Sequence, residues 1–277
     1  MDFLQFAREH GLVINSLVSG RIARCQTITK HSKKNGAYYF DGDFGWCQNW
    51  ELHNHPVIWI TDKQVDQKDL QKRLRDSQKE YAQQRQKANR EAIKKASDMM
   101  ARCRQDISEY FARKGYPEMC FNVLFEDGKD PLVCVPMRID GKLSGLQTIA
   151  PDGTKKFLYG TNASMATFDI GQGKKIFLCE GLLTGISLQD VLKRIKIDYK
   201  IRVCFSAGNM KKIAAATKEC FLVVDNDESG TGQRVGEGSG KPYYVPELTG
   251  DDLNDEVRRI GTFKVMQKLQ KLLYNRK

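Results

Sequence analysis

The stretch FLVVDNDESGTG, residues 221–232, runs four apolar residues into two aspartates one residue apart and then into a glycine-rich turn. An apolar run that stops abruptly at turn residues reads as a buried parallel strand, and in open α/β sheets ligands sit just beyond the carboxyl ends of such strands. Residues two apart on an extended chain point to the same side. The charges of Asp225 and Asp227 therefore repel unless a cation sits beside them. A hard, oxygen-seeking divalent ion meets that need.

The segments around this stretch alternate regularly. From Lys174 the chain reads as strand KKIFLCE, helix LLTGISLQDVLKRI, strand IRVCFS, helix NMKKIAAATK, strand CFLVVDND, a short helix, strand PYYVP and a helix starting near Asp252. Strands alternating with helices call for a parallel sheet with right-handed crossovers. Glu180 then closes one strand as Asp225 and Asp227 close another, and the three carboxylates converge on one sheet edge. Asp251, Asp252 and Asp255 in GDDLNDEVRR follow the next strand and are candidates to join them, although aspartates there also serve as helix caps. Two aspartates and a glutamate beside a basic surface suit phosphoryl or nucleotidyl transfer, in which a divalent metal neutralises phosphate oxygens. Lys155, Lys156, Lys211 and Lys212 are candidate phosphate contacts, although a lone lysine is more often a solvated surface charge.

The basic surface is a matter of composition. Lys and Arg number 45 against 34 Asp and Glu, a formal net charge of +11. That excess points to an acidic partner: nucleic acid, a membrane surface or a phosphorylated small molecule. No apolar stretch approaches the length of a membrane span, and MDFLQFAREHG starts an amphipathic helix rather than a signal peptide. A cytoplasmic protein with no membrane partner is expected. Cys134, Cys179, Cys204 and Cys220 fall inside apolar runs as buried thiols. Cys25, Cys47, His53 and His55 share one short region, but their spacing fits no familiar zinc pattern.

Residues 1–61 read as a small β-rich module in which RCQTITK, GAYYFDG and FGWCQNW are separated by Asn-Gly and Asp-Gly turn signals. Tyr38, Tyr39, Trp46 and Trp50 are either its core or a stacking surface for unpaired bases. Residues 62–115 lack glycine and proline up to Lys114 and are rich in Lys, Arg, Gln, Glu and Ala, the composition of a long, solvated helical linker or helical hairpin. Residues 116–170, punctuated by DGK and PDGTKK, read as antiparallel hairpins. Residues 171–261 form the α/β domain, and 262–277 a C-terminal helix.

Taken in order, YFARKGYP, PLVCVPMRIDGKLSGLQTIAPDGTKKFLYG, IFLCEGLLTGISLQDVL, CFSAGNMKKIA, FLVVDNDESGTG and PELTGDDLNDEVRRIG resemble the TOPRIM primase modules of phage and plasmid primase-helicase proteins. The resemblance covers residues 110 to about 261, and DGDFGWCQNWE resembles the small leading module of the same proteins more weakly. It implies a TOPRIM fold and the synthesis of short RNA primers on a single-stranded DNA template from ribonucleoside triphosphates. Residue by residue, it implies that Glu180 is a general acid/base or metal ligand, that Asp225 and Asp227 bind Mg2+ or Mn2+, and that Asp252 and Asp255 match a later acidic motif. Asn209, in SAGN, falls where the family turns from strand into helix, a place where a helix N-terminus receives a phosphate. The chain departs from the family in two ways: no zinc ribbon is evident at the front, and GEGSGKP lacks the spacing and the Ser/Thr of a phosphate-binding loop. Unwinding is then left to a separate replicative helicase as partner. Rival readings are a TOPRIM nuclease and a non-catalytic single-stranded-DNA-binding replication accessory protein. A haloacid-dehalogenase-type phosphatase is disfavoured because Ser occupies position 229 and little chain follows.

Overall fold

The computed structural model describes residues 1–29, 31, 34–53, 55–61 and 67–274. The chain divides into two compact units, Met1–Lys87 and Ala88–Lys277.

The first unit opens with helix α1 (Phe3–Glu9), whose N-terminal amides are capped by Asp2: its Oδ1 accepts from Gln5 N at 2.8 Å. Strands β1 (Leu12–Val13), β2 (Ala23–Thr27), β3 (Gly36–Asp41), β4 (Phe44–Asn49) and β5 (Val57–Ile60) follow as an antiparallel sheet in sequence order. The Asp-Gly signal at 41–42 is the β3–β4 hairpin: Asp41 pairs with Phe44, and Gly42 takes φ 66°, a left-handed conformation that glycine adopts without steric cost. Phe3, Tyr38, Cys47 and Trp59 pack together as the core. Helix α2 (Gln67–Arg102) leaves this unit and enters the next.

In the second unit the end of α2 buries Ala92, Ala96 and Met99, a stripe at helical spacing. The helix stops at Arg102, sooner than a stretch free of glycine and proline suggests. Strand β6 (Arg104–Asp106) and helix α3 (Glu109–Arg113) follow. β6 is short and charged, and pairing with its neighbour rather than its own residues makes it a strand. With β7 (Phe121–Leu124), β8 (Leu132–Ile139), β9 (Lys142–Ile149) and β10 (Lys155–Phe157) it builds an antiparallel sheet ordered β10-β9-β8-β7-β6. One face of that sheet, with Leu124, Cys134 and Leu146, packs on Ala96 and Met99 of α2. The other, with Val133, Val135, Met137 and Ile149, packs on Leu182, Leu183 and Ile186.

The remaining elements are β11 (Phe168–Ile170), β12 (Lys175–Cys179), α4 (Leu182–Ile195), β13 (Tyr199–Val203), α5 (Ala207–Ala216), β14 (Phe221–Val223), α6 (Thr231–Gly238), β15 (Tyr243–Tyr244), α7 (Leu253–Ile260) and α8 (Thr262–Tyr274). Their sheet is ordered β11-β13-β12-β14-β15. β12, β13, β14 and β15 run parallel, and β11, in the region read as hairpins, joins instead as an antiparallel edge beside β13. Alternate residues face opposite layers, as the two-residue period of a strand requires. Phe177, Cys179, Phe221 and Val223 pack with residues of α4, α7 and α8, whereas Leu178, Leu222 and Val224 pack with residues of α5 and α6. The strand order reverses at β12: the chain moves from it to β13 on one side, then crosses to β14 on the other. A crevice opens at the carboxyl ends of strands where the order reverses. The class is mixed α/β, and among the described residues no helix is long and apolar enough to cross a membrane.

Candidate active site

Glu180 follows the last residue of β12, and Asp225 lies two beyond the last of β14; Cys179 and Val223 are paired in the parallel ladder, so the two acids leave adjacent strands at nearly the same level. The third acid comes from farther along the chain. Beyond β14, Asn226 N donates to Asp251 O at 3.0 Å, and Asn226 Nδ2 donates to Pro246 O at 2.9 Å. These bonds draw the loop after β15 over the strand ends and bring Asp252, the N-cap of α7, to the same place. Helix α7 is anchored by the buried Glu256, which accepts from Tyr244 Oη at 2.6 Å and from Lys268 Nζ at 2.9 Å. Glu180, Asp225 and Asp252 line one cavity of about 90 Å3 with Lys155, Gln147, Thr184 and Phe205. At roughly 30 Å3 per water molecule the space holds about three waters, or an ion with part of its hydration shell.

The electrostatics of the cavity are those of acids crowded out of water. Burial, then the charges of Glu180 and Asp252, push Asp225 up to about 7. Its Oδ1 is buried without a hydrogen-bond partner, as is Oγ1 of Thr184 on the cavity wall. Such orphaned oxygens are costly and are rare in folded proteins. Burial also raises Glu180; Lys155 and a hydrogen bond from the Ala207 amide oppose the rise, and the charge of Asp227 adds to it. Asp252 is raised by burial, and its Oδ1 accepts from Asp255 N at 2.9 Å. The Lys155 ammonium stands 3.7 Å from where a Cβ on Gly181 would sit, above the start of α4, which has no side-chain cap.

Two backbone features hold this arrangement. Phe205 has φ 67°, a conformation unusual for a bulky residue, and its amide donates to Glu180 O at 2.8 Å. A Cβ on Gly232 would run into the Asp225 carbonyl oxygen, so only glycine lets α6 start that close to the acid.

The other expected site residues lie elsewhere. Asp227 is exposed, and its Oδ1 accepts from Ser229 Oγ at 2.7 Å and from Thr231 N at 3.0 Å, capping the start of α6; its charge still acts on Glu180 and Asp225. Asp255 pairs with Lys114 Nζ at 3.0 Å. Asn209 is buried: its Oδ1 accepts from Met165 N at 2.7 Å, and its Nδ2 donates to Cys204 O at 2.8 Å and to Ala166 O at 2.9 Å. Its side-chain amide is occupied within the fold. Lys156, Lys211 and Lys212 are exposed and do not line the cavity, and Lys212 Nζ donates to Ser164 Oγ at 3.3 Å. In the first unit Cys25 and Cys47 are buried thiols pushed up to about 11 and about 12 by burial, and His53 Nε2 meets His10 Nδ1 at 3.3 Å. Tyr38 and Trp46 belong to the core, while Trp50 lies beneath the Arg24 guanidinium at 4.3 Å.

Gln147, Thr184 and Phe205 were not singled out by sequence reasoning. Gln147 carries a weak signal, since it is the lone amide side chain in the strand segment GLQTI. Among the described residues no three His, Cys, Asp or Glu side chains form a ready-made cage for an ion. The donor set still fits Mg2+, which is held through one or two carboxylates while substrate phosphates and waters complete its shell. No protein-family model matches the chain, and no curated protein matches it.

Proposed function

We propose that this chain is a metal-dependent primase, or a protein derived from one, with a TOPRIM-type α/β domain, and that it joins ribonucleotides on single-stranded DNA. The observation that carries the reading is the half-buried Asp225, whose buried Oδ1 has no partner, beside Glu180 and Asp252 where the parallel sheet reverses its strand order. Asp225 and Asp252 would hold Mg2+ or Mn2+, with the charge of Asp227 close enough to act on both Asp225 and Glu180. When bound, the ion neutralises phosphate oxygens.

The chain's own residues do the rest. Glu180, whose proton affinity burial has raised, takes the proton of the attacking 3′-hydroxyl, a role that favours a carboxylate poised nearer neutrality than a free one. Lys155 steadies the incoming phosphates. Phe205 and Gln147 narrow the cavity and limit the water within it. The net charge of +11 attracts the polyanionic template that the acidic cavity alone would repel.

The test is incubation of the purified protein with single-stranded DNA, labelled ribonucleoside triphosphates and Mg2+ or Mn2+, beside Asp225→Ala/Asp227→Ala protein. Short labelled RNA made only by the unmutated protein is the expected result. Degraded template without RNA replaces the reading with phosphodiester cleavage, and DNA binding with neither product replaces it with an accessory role.

A further inference from the structure

Tyr159 is 91% exposed, and Phe157, two residues before it, is 43% exposed. Neither exposure results from a loose segment. Between them Leu158 packs with the core residues Ala96, Met99 and Leu146, and its amide donates to Leu146 O at 3.1 Å. On the far side Gly160 takes φ 85°, its carbonyl accepts from Asn89 Nδ2 at 3.1 Å, and a Cβ there would strike the Ala88 carbonyl oxygen of α2. Tyr159 is thus held outward on a pinned turn, a ring presented to solvent with no packing role to account for it.

The same short segment leads to the cavity. Lys155 and Phe157 lie on one side of β10, opposite Ile149 and Gln147 of β9. Lys155 and Gln147 line the cavity, and the Phe157 ring meets Phe205, another cavity residue, edge-on at 6.2 Å. Residues 154–161, TKKFLYGT, hold two lysines and no acid. Two aromatic rings and the Lys155 ammonium, ending at the acidic cavity, are the parts of a single-strand binding track: rings stack on unpaired bases and an ammonium group contacts the backbone. A duplex offers no free base face to such rings.

We infer that β10 and the turn after it, residues 155–159, form a binding track for single-stranded DNA in which the Tyr159 ring stacks on an unpaired base and Lys155 contacts the backbone. The inference rests on the primase reading for its choice of nucleic acid as ligand. It adds the direction from which the template reaches Glu180 and Asp225.

The experiment is binding of a fluorescein-labelled oligothymidylate to the full chain, followed by anisotropy in EDTA at several salt concentrations. Tyr159→Ala is expected to weaken binding roughly 5- to 100-fold with an unchanged salt slope, and Tyr159→Phe to restore it. Lys155→Ala should lower the salt slope by about one. Oligonucleotides carrying 5-iodouracil should photo-crosslink to Tyr159, as located by peptide mass spectrometry. Unchanged affinity in Tyr159→Ala, or a loss in Tyr159→Phe as large as in Tyr159→Ala, overturns the inference. Because the assay contains no metal and scores no RNA, a chain that binds through Tyr159 but synthesises nothing refutes the primase and leaves the track standing. Synthesis by a chain indifferent to Tyr159 does the reverse.

Discussion

Asp225 makes the cavity a liability to the metal-free protein. Its carboxyl rises from an ordinary 3.8 to about 7, so between those values the folded state binds more protons than the unfolded state. Stability therefore falls as pH rises through that window, and the full loss, on the order of 4 kcal/mol, is present only above it. In metal-free protein Asp225→Asn should raise the melting temperature at pH 8 and leave it nearly unchanged at pH 4, measured by calorimetry. A cation that compensates the ionised acid should stabilise most where the acid is ionised. The thermal shift produced by Mg2+ or Mn2+ is then expected to be larger at pH 8 than at pH 6 and to vanish in Asp225→Asn. Gly232→Ala, which forces a methyl group against the Asp225 carbonyl, should lower any metal-dependent activity more than it lowers folded content by circular dichroism.

The elements that hold the acids in place depend on a few polar side chains. Asn209 ties the loop before β11 to the end of β13 and supports Met165 and Phe205, both at positive φ. Asn209→Ala leaves those groups unpaired and should cost about 1–3 kcal/mol in urea denaturation. Glu256 joins β15, α7 and α8 through Tyr244 and Lys268, and Glu256→Ala should cost about 1–3 kcal/mol, because it strands the buried Tyr244 hydroxyl while Lys268 keeps Glu247 as a partner. Much of this layer was legible in the sequence. The strand, helix and turn order after Lys174 follows from where the apolar period changes, and α4 covers the residues LLTGISLQDVLKRI read as a helix. The inward orientation of the Asn209 side chain was not legible, because a helix start after a strand looks the same in sequence whether its side chain faces a ligand or a neighbouring loop.

At the scale of the whole chain, the boundary between the two units falls within α2, between Lys87 and Ala88. Ala92, Ala96 and Met99 of that helix are buried within the second unit, whereas residues 78–80 and 82–87 are exposed. Exposed backbone with few buried contacts opens most readily. Brief trypsin treatment should therefore cut first at Lys79, Arg85 or Lys87 and leave a C-terminal fragment that resists further digestion, as read by intact mass.

The apolar periods, turn residues and acid spacing carried the strand-helix order, the β-rich front, the long helix and the candidate acids Glu180 and Asp225, because each depends on residues close together in the chain. Which acids share the cavity did not follow from spacing. Asp227, two residues from Asp225, turns away to cap α6, while Asp252, distant in sequence, is drawn in by the Asn226 bonds and by α7 packed on α4. Convergence depends on how separate elements pack, and burial follows from that packing. The raised proton affinity of Asp225 exists only once the surrounding layers have excluded water.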